Sequence, residues 1–481
     1  MRPLDSFVAA AWADAEPTLC DFIRIPNKSP AFDPAWEEHG HMERAVELVA
    51  GWLGAHAVEG MTLEVHRLPG RTPVILVEVP ATAPGAATDA DTATDTGAGT
   101  VLLYGHLDKQ PEMVGWRDGL GPWEPVLEDG RLYGRGGADD GYAAFAALTA
   151  VRALGETGRA HARCVILIEA SEESGSPDLP AHVEALAGRI GPVDLVVCLD
   201  SGCESYDRLW LTTSLRGLVG LDVRVDVLGE GIHSGASGVV PSSFRVLRHL
   251  LDRIEDSATG RILLAECQVP IPEERRRQAE VVGELLGPEG VAPYPFAGST
   301  RPVVADPAQM ILARSWAPAL SVTGLEGAPP LADAGNVLRP YTAARLSLRL
   351  PPGCDPERAA DAVVAALTAD PPHGAVVTVT GRETAWGWDA PPTAPWLEQA
   401  LADASRAAFG GQAPAASGLG GSIPFMAMLG ERFPAAQFVV TGVLGPGSNA
   451  HGPNEFLDLG MARGVTACVA DVLAAHAVRG A

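Results

Sequence analysis

The chain has 481 residues, of which 47% are hydrophobic, and 60 acidic against 35 basic side chains give a formal net charge of -25. This composition predicts a globular protein of more than one domain and excludes a disordered chain. The acidic balance argues against nucleic acid and anionic membranes as partners, because both are bound through basic patches.

The first residues, MRPLDSFVAAAWADAEP, contain acidic side chains and no long apolar run, which argues against a secretory signal. No run of about 18 apolar residues predicts a membrane span. Seven cysteines are scattered along the chain, several of them in apolar strand-like runs where Cys acts as a small hydrophobe. A reducing, cytoplasmic location is therefore expected.

In the first 206 residues, apolar strands alternate with Ala-rich helices. The strands with near-continuous apolar character are predicted over residues 100–106, 163–170, 193–200 and, much later, 436–444. This pattern indicates an α/β fold with a mixed, mostly parallel sheet and helices on both faces. The segment 81–99, which is small, polar and repetitive, predicts a flexible loop.

The middle of the chain has a different pattern. Strands with period-two alternation and amphipathic helices follow in the order β-α-β-β-α-β, over residues 220–229, 242–256, 319–325, 344–352, 356–370 and 374–381. This order is typical of a ferredoxin-like α+β layer. We therefore predict a discontinuous α/β domain over 1–209 and 384–481, interrupted by an inserted domain over 210–383.

Polar clusters follow the predicted strands. They are His106 with Asp108, Asp139 with Asp140, Glu172 with Glu173, Asp200, and His451. Loops at the carboxyl ends of strands in an open α/β sheet converge on the ligand crevice. This mixture of His and carboxylates suits Zn, with Mn or Co as alternatives, and the number of acids suggests two ions joined by a bridging carboxylate.

Each cluster alone has a simpler structural interpretation. Asp139 and Asp140 fit a helix N-cap, Glu172 and Glu173 a polar turn, and His106 a structural histidine. Five clusters at equivalent positions favour a functional site instead.

The motifs resemble those of the M20 metallopeptidases, and of the carnosine-dipeptidase-like cytosolic branch in particular. The matching segments, which keep the family order and span nearly the whole chain, are YGHLDKQPE, LYGRGGADDGYAA, ASEESGS, GIHSG, SLRLPPG, GGSIP and NAHGPNE. The resemblance implies a zinc-peptidase-like catalytic domain with an inserted lid and dimerisation domain.

The resemblance also implies roles for the acidic and histidine clusters. His106, Asp139 and Asp200 would hold one ion, and Asp139, Glu173 and His451 the other, with Asp139 bridging. Asp108 would hydrogen-bond His106 and fix its tautomer. Glu172 would be the general base that takes a proton from the attacking water and passes it to the leaving amine. The Asp139–Asp140 peptide bond is expected to be cis.

In the inserted domain, the resemblance implies that His233 reaches the active site of a partner subunit in a homodimer and stabilises the oxyanion. The simpler alternative is a loop histidine. Asn336 and Arg349 would bind the substrate carboxylate, although Arg349 also fits a strand-edge salt bridge. Gly421 and Ser422 of GGSIP would line the substrate pocket.

Three positions bear on substrate choice. Gly141 stands where the family usually has Lys, and Lys109 stands where many relatives have a small apolar residue. At position 200 the chain has Asp, which is commoner than Glu in the dipeptidase branch. We therefore expect an enzyme that cleaves an amide in a small carboxylate-bearing substrate such as a dipeptide. The alternatives are an N-acyl-amino-acid or specialised-metabolite amidohydrolase and, in another class, a non-catalytic metal-binding dimeric scaffold.

Overall fold

A computed structural model of the protein describes residues 2–82 and 99–479. The chain forms two compact units. The first unit comprises Met1–Thr213, Ala390–Ser417 and Met428–Ala481, and the second comprises Ser214–Asp389 and Gly418–Ala427. The segment Gly418–Ala427 thus belongs to the second unit although it lies late in the chain. Most of the predicted loop over 81–99 lies outside the described residues.

The helices begin where the sequence provides helix-starting residues. Pro occupies the first turn of several, and the side chains of Ser242, Asp355 and Asp458 accept hydrogen bonds from backbone N–H groups of the first turn. In chain order the helices are α1 (Pro3–Ile23), α2 (Trp36–His39), α3 (His41–Ala55), α4 (Tyr142–Glu156), α5 (Leu179–Ala185), α6 (Ala187–Ile190), α7 (Ser243–Leu251), α8 (Glu273–Val291), α9 (Pro307–Ser315), α10 (Pro356–Thr368), α11 (Pro395–Ala408), α12 (Pro424–Arg432) and α13 (Leu459–Val478).

The strands are short to medium in length. In chain order they are β1 (Thr62–His66), β2 (Val74–Val79), β3 (Thr100–His106), β4 (Val126–Glu128), β5 (Arg131–Tyr133), β6 (Arg163–Glu169), β7 (Leu195–Cys198), β8 (Trp210–Leu215), β9 (Gly217–Asp226), β10 (Ile232–His233), β11 (Ala319–Glu326), β12 (Val337–Leu338), β13 (Tyr341–Leu350), β14 (Val376–Ala385), β15 (Trp388–Asp389), β16 (Ala415–Leu419), β17 (Gln437–Val440) and β18 (Phe456–Asp458).

The main sheet of the first unit has the order β1-β2-β6-β3-β7-β17. Strands β6, β3, β7 and β17 are parallel neighbours, and β1 and β2 add an antiparallel edge. Every residue of β3 is buried, as expected for a strand covered on both faces. The predicted mixed, mostly parallel sheet is confirmed.

The last of these strands is shorter than the sequence suggests. The apolar run extends over 436–444, but β17 ends at Val440. Beyond this point the chain passes close to another loop. A Cβ atom at Gly442 would lie 1.8 Å from the carbonyl oxygen of Ser201, so only glycine fits this approach. Beyond Val440 the N–H of Thr441 still donates to the backbone oxygen of Cys198 at 2.9 Å, and Leu444 forms an isolated bridge with Gly202, so the apolar character of this segment follows from its burial beside the chain after β7.

Helix α13 is long and apolar enough to cross a membrane by length and composition alone, but 67% of its most apolar window is buried inside the structure. It packs against α4 and α11 within the first unit. Its apolar residues are therefore explained by the core that they form.

The second unit contains an antiparallel sheet with the order β11-β13-β9-β14. Helices α7 and α10 pack on this sheet, and the shared core includes Val223 and Leu346 from the strands and Leu250 and Val363 from the helices. Along the chain, β9, α7, β11, β13, α10 and β14 follow the predicted β-α-β-β-α-β order. Helices α8 and α9 are an addition between α7 and β11.

Candidate metal centre and active site

The polar clusters of the first unit follow parallel strands of its main sheet. His106 is the last residue of β3, Asp200 comes shortly after β7, and Glu172 and Glu173 form a turn after β6. Because β6, β3 and β7 are parallel neighbours, these three ends meet at one edge of the sheet. Asp139 reaches the same place from the turn that precedes α4, where the Asp139–Asp140 peptide bond is cis as expected.

Two groups of potential metal ligands share Asp139. The ligand atoms of His106, Asp139 and Asp200 lie within 4.8 Å of one another, and so do those of Asp139, Glu173 and His451. The shared carboxylate thus belongs to both groups, as a bridging ligand must.

The two oxygens of Asp139 face different histidines. Oδ1 lies 3.4 Å from Nε2 of His106, and Oδ2 lies 3.1 Å from Nε2 of His451. His106 Nε2 also lies 3.8 Å from Asp200 Oδ1, and His451 Nε2 lies 3.2 Å from Glu173 Oε2. Each histidine therefore directs one nitrogen at two carboxylates, which is the arrangement of a carboxylate-histidine ligand set.

Burial and crowding of like charges shift the titration of these groups. Burial, followed by the charges of Asp139 and Glu173, raises the pKa of Asp200 to about 7. Burial alone would lower the pKa of His451, but its hydrogen bonds to Asp139 and Glu173 outweigh this effect and raise the pKa to about 11. Burial and the charge of Asp200 raise the pKa of Glu172 well above its usual value. The site concentrates negative charge that cations would stabilise.

Unsatisfied hydrogen-bonding atoms in the site also indicate that the site binds a metal. Among the described residues, Nε2 of His106 and Oε1 of Glu173 are buried side-chain atoms without a hydrogen-bond partner. Buried polar atoms are rarely left unpaired, because the desolvation cost is then uncompensated. Coordination of a divalent ion by imidazole and carboxylate would satisfy both atoms.

Asp108 contacts two parts of the site. The Nδ1 atom of His106 lies 3.0 Å from the backbone oxygen of Asp108 and 3.5 Å from its carboxylate, so the backbone carbonyl is the nearer acceptor. The Asp108 carboxylate accepts hydrogen bonds from the backbone N–H groups of Glu172 at 3.0 Å and Glu173 at 2.9 Å. Asp108 therefore fixes the turn that carries both glutamates, a role that the sequence did not suggest.

In the second unit, His233 and Asn336 lie side by side. His233 pairs with Val337 between β10 and β12, and the backbone oxygen of Asn336 accepts from the N–H of Ser234 at 2.9 Å. Nδ1 of His233 accepts from the N–H of Gly235 at 3.0 Å, so a neutral ring carries its proton on Nε2. Both side chains are exposed.

Arg349 belongs to a network that includes the GGSIP segment. Its Nη1 donates to the hydroxyl of Ser422 at 3.0 Å, and that hydroxyl donates to the backbone oxygen of Arg216 at 2.6 Å. Arg216 in turn donates to the backbone oxygen of Gly420 at 3.0 Å and takes part in a backbone hydrogen bond with Gly421 at 3.1 Å. Arg216 is a residue that sequence reasoning missed.

Three other contact residues were missed although they lie inside the quoted motifs. Gln110 donates to Oε2 of Glu173 at 2.6 Å, and Arg135 and Glu455 form a buried ion pair at 2.5 Å. Their polar character within motif segments was the available signal. The departure at Gly141 has a steric reason, since a Cβ there would lie 2.3 Å from the ring of Phe22.

Comparison with known proteins identifies the family. The model of peptidase family M20/M25/M40 matches residues 102–475. The chain belongs to this family. The resemblance seen in the motifs and the expectation of a metal-dependent peptidase are thereby confirmed.

Several curated relatives are dipeptidases. The chain is 29% identical to the cysteinylglycine-S-conjugate dipeptidase of Corynebacterium striatum over 92% of its own length and 95% of that protein. It is 31% identical to human Beta-Ala-His dipeptidase over 55% of its length and 52% of that protein. It thus spans nearly the whole of the first relative and about half of the second.

Solved structures show the same fold. The dipeptidase Dug1p of Saccharomyces cerevisiae matches with a TM-score of 0.75 and 22% identity, covering 100% of this chain and 99% of Dug1p. Human carnosine dipeptidase 1 matches with a TM-score of 0.73 and 22% identity, covering 98% of this chain and 99% of that protein.

Proposed function

We propose that the protein is a dinuclear metal-dependent dipeptidase that cleaves the amide bond of a small substrate with a free carboxylate. The observation that carries this proposal is the sharing of Asp139 between two histidine-carboxylate groups in a chain of the M20 family. The dipeptidase relative from Corynebacterium striatum, similar over almost the entire chain, supports a dipeptide as the substrate.

His106, Asp139 and Asp200 would hold the first ion, and Asp139, Glu173 and His451 would hold the second, with Zn as the proposed metal. When bound, the ions act as Lewis acids that polarise the scissile carbonyl and lower the pKa of the attacking water. Glu172 directly precedes Glu173 in the turn after β6 and is a member of neither group. It accepts the proton of the attacking water and delivers it to the leaving amine.

The substrate carboxylate is bound by residues of the second unit, which acts as the lid and dimerisation domain. Within the part of the chain that the structure describes, neither Arg349 nor Arg216 forms an ion pair with a carboxylate at a distance of 4.0 Å or less. The positive charge of Arg349 is therefore not neutralised by an ion pair among the described residues and can bind an anionic ligand. Asn336 and the GGSIP residues Gly421 and Ser422 assist this binding. His233 of one subunit stabilises the oxyanion in the other subunit of a homodimer through Nε2.

A cytoplasmic location is part of the proposal. All seven cysteines are free thiols, and six of them are buried. Free thiols persist in a reducing compartment, and their burial in apolar surroundings is consistent with a role in packing rather than chemistry.

A substrate panel tests the proposed function. The protein is loaded with Zn, Mn or Co and compared by kcat/KM on Cys-Gly, S-substituted Cys-Gly, β-Ala-His and N-acetyl and N-succinyl amino acids. We expect the dipeptides to be the best substrates. Preference for N-acyl amino acids would move the assignment to an amidohydrolase, and absence of any hydrolysis with all three metals would leave a metal-binding scaffold.

A further inference from the structure

Glu455 is a fully buried carboxylate at the end of the motif that carries His451. Its Oε2 lies 2.5 Å from Nη1 of Arg135, and its Oε1 accepts from the backbone N–H groups of Gly136 at 2.9 Å and Ala138 at 3.3 Å. Both carboxylate oxygens are therefore bound to the segment that leads into Asp139.

Arg135 makes the return contact to the His451 loop. Its Nη2 donates to the backbone oxygen of Gly452 at 2.6 Å, directly after His451. The N–H of Gly134 donates to the backbone oxygen of Glu455 at 3.0 Å. Arg135 is 1% exposed and Glu455 0%, so this two-sided contact is shielded from water and from salt.

The loop that carries His451 needs such support. Asn449, His451 and Asn454 have φ angles of 53°, 63° and 62°, in the left-handed region, which is uncommon for residues with a Cβ although Asn and His enter it more often than most. Such backbone persists only where surrounding contacts hold it. The His451 side chain is 55% exposed, so packing in a core does not hold it in place.

We propose that Arg135 and Glu455 are positioning residues that hold the His451 loop against the Asp139 turn and thereby set the metal affinity of the group formed by Asp139, Glu173 and His451. Neither residue belongs to either ligand group. The group of His106, Asp139 and Asp200 depends less on this pair, because His106 and Asp200 are fixed by β3 and β7. The inference rests on the proposed two-ion centre but not on the identity of the substrate.

Titration of the metal-free protein with Zn²⁺ in a calorimeter tests the inference. We expect the wild type to bind two ions per chain. The Glu455→Gln variant should bind one ion with wild-type affinity and the other about 10- to 100-fold more weakly, the usual effect of removing a group that orients a metal ligand. Unchanged affinity for both ions, or equal weakening of both, would overturn the positioning role.

Two further variants separate positioning from folding. In Arg135→Met/Glu455→Gln no buried charge is left unpaired, so stability of the metal-free protein should recover while the weak second site persists. Glu78→Gln, which breaks the ion pairs of Glu78 with Arg163 and Arg189, is the matched control and should leave both affinities unchanged.

Melting temperatures provide a readout that a purely structural role would not change. Positioning predicts that the increase in Tm on adding Zn²⁺ is smaller in Glu455→Gln than in the wild type. Equal losses of Tm in the metal-free and loaded forms, with an unchanged increase, would assign the pair to folding alone. A wild type that binds only one ion would instead refute the two-ion centre and this inference with it, whatever the outcome of the substrate panel.

Discussion

At the scale of single residues, the adjacent glutamates of SEESG have different surroundings. Asp108 holds the backbone N–H groups of both Glu172 and Glu173, which fixes the turn. The side chain of Glu173 then faces His451 at 3.2 Å, whereas that of Glu172 belongs to neither ligand group. Neighbouring side chains at a strand end point in different directions, so two carboxylates in sequence can perform two tasks.

This difference predicts different effects of the same substitution. Glu172→Gln should reduce kcat by at least about 100-fold, since proton transfer by a positioned group contributes roughly 10²- to 10⁴-fold, and should retain both ions. Glu173→Gln should lose affinity for one ion. The metal content and the kcat of both purified variants test these roles. A Glu172→Gln variant that is active or depleted of metal would contradict them.

At the scale of secondary-structure elements, Lys109 links the end of α1 to the loop after β3. Its buried Nζ atom donates to the backbone oxygens of Phe22 at 2.7 Å and Ile25 at 2.9 Å, at and just beyond the end of α1. It also lies 4.0 Å from the centre of the Phe22 ring. The unusual lysine after Asp108 is thus a helix C-terminal cap rather than a substrate-facing residue.

Lys109→Met should therefore lower the free energy of unfolding by about 1–3 kcal/mol, because the two carbonyl groups lose their donor. Lys28→Met, which breaks a partly exposed ion pair with Glu112, is the control and should cost about 1 kcal/mol or less. Chemical denaturation at neutral pH measures both. Equal effects of the two substitutions would argue against the capping role.

The same residue predicts a pH dependence. Burial lowers the pKa of Lys109 well below its usual value, so the unfolded chain binds more protons than the folded one between the folded pKa and about 10.4. The stability of the wild type relative to Lys109→Met should therefore rise with pH within that window. If the stability of the wild type relative to Lys109→Met instead falls as the pH rises, the folded protein favours the charged form of Lys109.

The network around β9 and β13 predicts a specificity effect. Loss of a charge-assisted hydrogen bond costs about 1.5–3 kcal/mol, so Arg349→Met should raise KM for a dipeptide by roughly 10- to 100-fold. The same dipeptide with an amidated carboxyl terminus should be affected much less. Steady-state kinetics on the two substrates test this, and equal losses on both would indicate a structural role for Arg349.

At the scale of the whole molecule, the proposal requires two subunits for each active site. Subunits carrying His233→Ala should be inactive because the oxyanion loses its donor, and subunits carrying Glu172→Gln because the base is lost. A mixed dimer should regain activity, since one of its two sites contains both wild-type residues. Co-expression with two affinity tags isolates the mixed species, and a mixed dimer as inactive as its parents would refute the contribution in trans.

The sequence alone determined the alternation of strands and helices, the β-α-β-β-α-β order of the second unit and the chemical types at the strand ends. These features depend on local periodicity and on short motifs, which can be recognised in the sequence without knowing how the chain packs. It misplaced the end of β17, because the apolar run up to residue 444 is buried in a loop beside Ser201.

Only the tertiary structure decided which oxygen of Asp139 faces which histidine, that the Asp108 carboxylate fixes the SEESG turn, and that Arg135 pairs with Glu455, 320 positions away. The same holds for the hydrogen-bond network of Arg216. Such contacts join segments that are remote in the chain, and their distances follow from how the whole core packs. The residue types for metal chemistry are therefore readable in the sequence, whereas their partners are fixed by the fold.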